Sequence, residues 1–241
     1  MSFRAGIWAV IPAAGTGTRM GSSVPKQYLP LQGKTVLGVT IERLASFFPI
    51  KGIYVGLAAD DSQWPDVAEK LKTDSVEVST FTGGATRAAT VLNGLREVGK
   101  RADVDDWVLV HDAARPCVRH EDIQKLIDEA TDTDDGGILA LPIADTVKLT
   151  KEDGRIDKTV DRTSLWRALT PQFFPLADLT KALDRALLEE AIITDEASAM
   201  EYIGAMPRCI EGHPDNIKIT YPADLELAEL YLSQQAKEVK S

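Results

Sequence analysis

Sulfur and imidazole are scarce in this chain of 241 residues, which has two cysteines, Cys117 and Cys209, and three histidines, His111, His120 and His213. The cysteines form no CxxC pair and show no zinc-like spacing, HExxH is absent, and no GxSxG marks a serine nucleophile. Nothing here points to covalent catalysis or a structural zinc site, and a reduced, cytoplasmic setting is expected. Long apolar runs are missing too, since no stretch reaches the ~18 unbroken apolar residues of a membrane span. The apolar start, from Phe3 to Ala14, is interrupted by Gly6 and Pro12 and carries one Arg, so it reads as a buried strand rather than a signal peptide. Positive charge is in deficit: 27 Lys+Arg against 37 Asp+Glu leave a net charge of −10. Such a field repels polyanions, so neither nucleic acid nor a membrane surface is expected as a partner.

What is present suits an ordinary globular protein. Hydrophobic residues make up 44% of the chain, enough to build a core. Short apolar runs at Ile7–Ile11, Gly52–Leu57, Val76–Phe81, Trp107–His111 and Gly137–Leu141 read as strands. Amphipathic segments between them, at Val36–Ser46, Asp66–Leu71, Arg87–Val98 and Glu121–Ala130, read as helices. Strands without polar alternation, separated by helices, predict a Rossmann-like, doubly wound and mostly parallel α/β sheet with helices on both faces. Residues 1–241 are expected to form one domain. Helices are further expected at Leu176–Leu187, Asp195–Ile203 and Ala223–Gln235, with a last strand at Asn216–Thr220. Between 143 and 162 the pattern changes to two alternating segments around the Asp153–Gly154 turn signal, which predicts a protruding β-arm. A two-stranded hairpin with so little apolar surface is marginal alone, so a second subunit is its expected support.

The residues after the first strand, AAGTGTRM, occupy the position where ligands bind in open α/β sheets. The dinucleotide fingerprint fails because Met20 stands where its last glycine is needed. The Walker A pattern fails because Tyr28 stands where its first glycine is needed. What remains is a glycine loop with Arg19 at its end and Lys26 beyond, a combination suited to a triphosphate or, equally, a tight turn with solvated charges. Gly83 and Gly84 open a second loop before a helix that Thr86 can cap. Asp112 lies at the end of the fourth strand, as a Mg²⁺ ligand or a turn residue. Cations, glycines and one carboxylate fit direct transfer between phosphates, where catalysis is positioning and charge neutralisation.

These segments resemble a known family. PAAGTGTRMG, PKQYLPLQGKTVL, VHDAARP, TVDRTSLWRALTPQ, TDEASAMEYIG and EGHPDNIKIT are similar, in this order, to the motifs of 2-C-methyl-D-erythritol 4-phosphate cytidylyltransferases of the non-mevalonate isoprenoid pathway. The resemblance runs from Ile7 to about Leu232. It implies CMP transfer from CTP to 2-C-methyl-D-erythritol 4-phosphate by a Mg²⁺-dependent homodimer. Pro12, Ala13, Ala14, Gly15, Thr16 and Gly17 would form the CTP loop, with Arg19 and Lys26 on the triphosphate. Gly83, Gly84 and Thr90 would recognise the cytosine and ribose, and Asp112 would help hold Mg²⁺. Arg162 and Lys218 would position the polyol phosphate, with Thr146 and Arg115 nearby, and Arg162 and Thr146 would act across the dimer interface. Ala85 departs from the family's acidic or polar residue, and Thr90 replaces a common serine while keeping the hydroxyl. The chain is expected to lack the cyclodiphosphate synthase domain fused to some relatives and to be monofunctional. Two alternatives stay open: a sibling that uses ribitol 5-phosphate, and an inactive nucleotide-binding regulator, against which the presence of Arg19, Lys26, Asp112, Arg162 and Lys218 speaks. Arg87 reads as structural, Asp195 and Glu196 as a helix start, Trp166 and Pro171–Phe174 as packing, and His111 is left without a role.

Overall fold

The computed structural model describes residues 4–15, 24–73 and 76–238. Its strands are β1 (Ile7–Pro12), β2 (Pro30–Leu31), β3 (Lys34–Thr35), β4 (Ile50–Leu57), β5 (Glu77–Thr82), β6 (Trp107–Val110), β7 (Gly137–Pro142), β8 (Val147–Thr150), β9 (Ile156–Val160), β10 (Trp166–Pro175) and β11 (Arg208–Glu211). Its helices are α1 (Val36–Ala45), α2 (Trp64–Ala68), α3 (Arg87–Val98), α4 (His120–Ala130), α5 (Leu176–Leu188), α6 (Glu196–Tyr202) and α7 (Ala223–Glu238).

Seven strands make the central sheet in the order β11-β7-β10-β6-β1-β4-β5. All its pairings are parallel except those of β10, which runs antiparallel to both neighbours. Along β1, Ile7, Ala9 and Ile11 face a core shared with α1, α2 and α4, while Trp8 and Val10 face one shared with α3, α5 and α6. Period-two alternation therefore delivers apolar residues to both faces, so the strand reads as an unbroken apolar run. The chain proceeds from β1 to β4 and β5 on one side, then returns to β6 on the other. That reversal places a crevice between the C-terminal ends of β1 and β6, the position at which open α/β sheets bind ligands.

The far end of the sheet is held by a buried carboxylate. Asp106, 2% exposed, accepts from the Gly6 amide at 2.5 Å, the Trp8 indole at 2.7 Å and the Asp103 amide at 3.1 Å. Asp106→Ala strands these donors. It is expected to cost about 3 kcal/mol or more in urea denaturation while leaving ligand binding in the crevice of the folded protein unchanged, because the substitution lies opposite the crevice.

One expected strand is absent from its place. Asn216–Thr220 is not a strand, because its carbonyls are used otherwise: Asn216 O accepts from Arg115 at 2.7 Å and Ile219 O from Lys26 at 3.0 Å. The sheet position beside β7 goes instead to β11. Pro171–Phe174 packs in the core as expected, with Phe173 and Phe174 fully buried, and does so as part of β10, whereas Trp166 at the start of that strand is 39% exposed. At 143–162, β8 and β9 pair with each other in a separate two-stranded sheet, with Val147 opposite Val160. Leu149 and Ile156 of this arm remain 47% and 63% exposed. Among the described residues no helix is long and apolar enough to cross a membrane.

Candidate active site

Two clefts meet in the crevice. The first, about 310 Å³, runs from Pro12–Gly15 and Lys26 to Gly84–Arg87 and Thr90. The second, about 280 Å³, is lined by Arg115, Leu169, Thr170, Gln172 and Thr194. Arg87, Asp112 and Lys218 line both and form the junction between them.

The first cleft depends on close approach of two loops. A Cβ on Gly83 would lie 2.5 Å from the Cβ of Ala14, so only glycine lets the loop after β5 lie against the loop after β1. Gly84 is closed in the same way, with a built Cβ 2.6 Å from that of Ala89. The Thr90 hydroxyl accepts from the Gly84 amide at 3.0 Å and donates to Thr86 O at 2.9 Å, while the Thr86 hydroxyl caps α3 by accepting from Ala89 at 3.1 Å. The capping reading of Thr86 is therefore correct, and Thr90 orders the loop that lines the cleft. Thr16, Gly17 and Arg19 lie outside the described residues.

Gln27 escaped the sequence reading. It is 5% exposed, and its amide donates to Ala13 O at 2.8 Å and Gly15 O at 3.0 Å, tying the start of the glycine loop to the turn that carries Lys26. The one available signal was an uncharged amide between Lys26 and Tyr28, too common a feature to stand out. Gln27→Ala removes both bonds and leaves two loop carbonyls unpaired. The nucleotide that the resemblance places at this loop is expected to bind about tenfold more weakly, with binding in the second cleft changed less than about twofold, as titration calorimetry would show.

At the junction, Asp112 is 8% exposed and gathers three cations. Lys218 Nζ lies 2.7 Å from its Oδ2, Arg87 reaches its Oδ1 at 3.3 Å, and Arg115 Nε stands 3.6 Å from Oδ2. Burial alone would raise its pKa, but Arg87, Lys218 and Arg115 overcome that and hold the carboxyl well below the usual range. It is ionised at neutral pH. Arg87, read from sequence as serving structure or the adjoining loop, bridges two carboxylates, with Nη1 at 2.6 Å and Nη2 at 3.0 Å from the oxygens of Glu196. Asp195 does cap α6 through a reciprocal box with Ser198, while Glu196 beside it faces Arg87.

His111 is a strut. Its Nε2 donates to Arg115 O at 2.9 Å, so Nδ1 carries no proton and accepts from the Thr170 hydroxyl at 3.1 Å, which in turn accepts from the Asp112 amide at 3.0 Å. Burial pushes its pKa down to about 4, so the ring is neutral at physiological pH. Arg115 keeps its Nε without a hydrogen-bond partner at the second cleft. Arg162 and Thr146 are not brought to these clefts: both are exposed at the base of the arm, where Arg162 donates to Ala144 O.

A family model for 2-C-methyl-D-erythritol 4-phosphate cytidylyltransferases matches residues 7–234. The enzyme of that name from Vibrio vulnificus is 49% identical over 227 residues, covering 94% of each chain, and that from Hahella chejuensis is 47% identical over 232 residues, covering 96% of this chain and 95% of its own. A solved 4-diphosphocytidyl-2C-methyl-D-erythritol synthase superposes with a TM-score of 0.81 at 38% identity, covering 96% of this chain and 100% of its own. The Francisella tularensis 2-C-methyl-D-erythritol 4-phosphate cytidylyltransferase does so at 0.78 and 36%, covering 94% and 100%. With a glycine loop at the sheet's switch point, cations gathered on one buried carboxylate and this likeness along almost its whole length, the chain belongs to the 2-C-methyl-D-erythritol 4-phosphate cytidylyltransferase family.

Proposed function

We propose that the first cleft holds CTP and the second holds 2-C-methyl-D-erythritol 4-phosphate, and that CMP passes between them at the Arg87–Asp112–Lys218 junction. The products are 4-diphosphocytidyl-2-C-methyl-D-erythritol and pyrophosphate. The observation that carries this reading is the junction itself: two clefts sized for small polar ligands share three charged groups, so a phosphate in one lies beside a phosphate in the other.

The chemistry needs no strong base, because a phosphate monoester is already an anion at pH 7. Its oxygen attacks the α-phosphorus of CTP in line, the bond to the bridging oxygen breaks, and pyrophosphate leaves with the electron pair. Lys26 and the amides after β1 face the triphosphate, a role the family resemblance also gives Arg19, which lies outside the described residues; Gly84 and Thr90 line the wall for cytosine and ribose, and Gly83 lets the two loops close on it. Lys218 and Arg115 hold the acceptor phosphate. Ala85 lines the nucleotide cleft with a methyl group and offers no side-chain polar contact there.

Among the described residues no three His, Cys, Asp or Glu side chains cluster as a metal cage. Among the described residues Asp112 is the one carboxylate lining the nucleotide cleft, a donor that fits Mg²⁺ arriving with the triphosphate, since Mg²⁺ commonly takes one or two carboxylates together with substrate phosphates. When bound, the ion would neutralise triphosphate charge. Thr146 and Arg162, outside their own chain's clefts and beside an arm with exposed Leu149 and Ile156, would serve the site of a second subunit in a homodimer. Such an enzyme acts on small polyol phosphates in the cytoplasm.

Phosphorus NMR of the reaction mixture tests the reading. Two mutually coupled doublets of a new pyrophosphate diester are expected alongside inorganic pyrophosphate; CDP or CMP as the sole nucleotide product would contradict it.

A further inference from the structure

Two carboxylates and one guanidinium at the junction are arranged more specifically than helix capping requires. The N-terminus of α6 is already satisfied by Asp195, whose other oxygen takes the Gln172 amide at 2.9 Å. Glu196, the next residue, is 1% exposed, and both its oxygens lie on Arg87. A buried carboxylate is costly unless paired, and truncating such a pair is more damaging than replacing both members. Arg87 spends the rest of its planar fork on Asp112 Oδ1, through Nε and Nη2 at 3.3 Å each, which leaves Oδ2 to Lys218. A lysine ammonium, a single point charge, could not hold two carboxylates in one plane in this way.

We propose that Arg87 and Glu196 form a positioning pair that fixes the rotamer of Asp112, and thereby the place of Lys218, between the nucleotide and acceptor clefts. The proposal rests on the two-cleft reading above. Glu196 anchors the guanidinium from α6, the guanidinium fixes one oxygen of Asp112, and the other oxygen presents Lys218 to both clefts. With the pair gone, Asp112 is free to turn and draws Lys218 away from the point of phosphate transfer. Substrates still bind, but the reacting groups are misaligned.

The test separates positioning from mere packing. The double variant R87M/E196L replaces the ion pair with apolar side chains of similar volume, an exchange that is often neutral for stability. It is expected to keep the wild-type urea midpoint and a KM for CTP within about twofold of wild type, while kcat falls about 10–100-fold. Glu196→Gln, nearly isosteric, serves if the double variant does not fold; it is expected to lower kcat about fivefold or more at unchanged KM. Wild-type kcat in a folded R87M/E196L protein, or in E196Q, would overturn the pair's role. Wild-type protein that binds CTP but transfers to no polyol phosphate would overturn the two-cleft reading instead, a result distinct from failure of the pair.

Discussion

Lys218→Ala is expected to lower kcat by about 10²–10³-fold while the protein stays folded. Among the described residues the ammonium is the one lysine group that lines both clefts, and it lies 2.7 Å from the buried carboxylate of Asp112. In transfer, negative charge accumulates between the attacking phosphate and the departing pyrophosphate, and a fixed cation at that point stabilises the transition state more than either bound substrate. Its removal therefore acts on kcat, with a smaller change in KM. The fold survives because Asp112 retains Arg87 and Arg115, and because the side chain of Lys218 is 40% exposed. Steady-state pyrophosphate release measures the effect. A K218A enzyme within about threefold of wild type would remove Lys218 from the chemistry, since a single transition-state cation is worth much more than that.

Arg162→Ala and Lys26→Ala are each expected to abolish most activity alone and to restore it when the two proteins are mixed. Arg162 sits at the base of the arm and lines neither cleft of its own chain, whereas Lys26 lines the nucleotide cleft directly. If the arm of one subunit completes the cleft of the other, a mixed dimer contains one site with both defects and one with neither. With random exchange of subunits in an equal mixture, half the dimers are mixed, so about one quarter of wild-type activity returns. The arm's two strands pair only with each other and leave Leu149 and Ile156 exposed, the condition of a hairpin that needs a partner surface. Mixed dimers, verified by mass, that recover no activity would show that Arg162 serves its own chain or none.

Much of this architecture could be read in the amino-acid order, and what could not has identifiable causes. The strands β1, β4 and β6 are apolar on both faces, and a glycine loop directly after the first of them pointed to the crevice at the sheet's switch point. The strand expected at Asn216–Thr220 failed because Ile217 and Ile219 imitate strand alternation, while the backbone between them is bonded to the side chains of Arg115 and Lys26. β10 was hidden by Pro171 and Pro175, which argue against a strand until its place between β6 and β7 is known. The partner of Arg87 could not be read because Glu196 lies 109 residues away, beyond the reach of any local pattern. Gln27 was missed for a similar reason: its targets are backbone carbonyls, which leave no trace in side-chain spacing.

The measurement that bears most directly on the central claim is pyrophosphate release from CTP and Mg²⁺ with 2-C-methyl-D-erythritol 4-phosphate and, separately, ribitol 5-phosphate as acceptor. Release with the first acceptor and not the second is the predicted result. Release with ribitol 5-phosphate alone would leave the transfer chemistry intact but contradict the acceptor assignment. Release with neither, while CTP still binds, would contradict the enzyme itself.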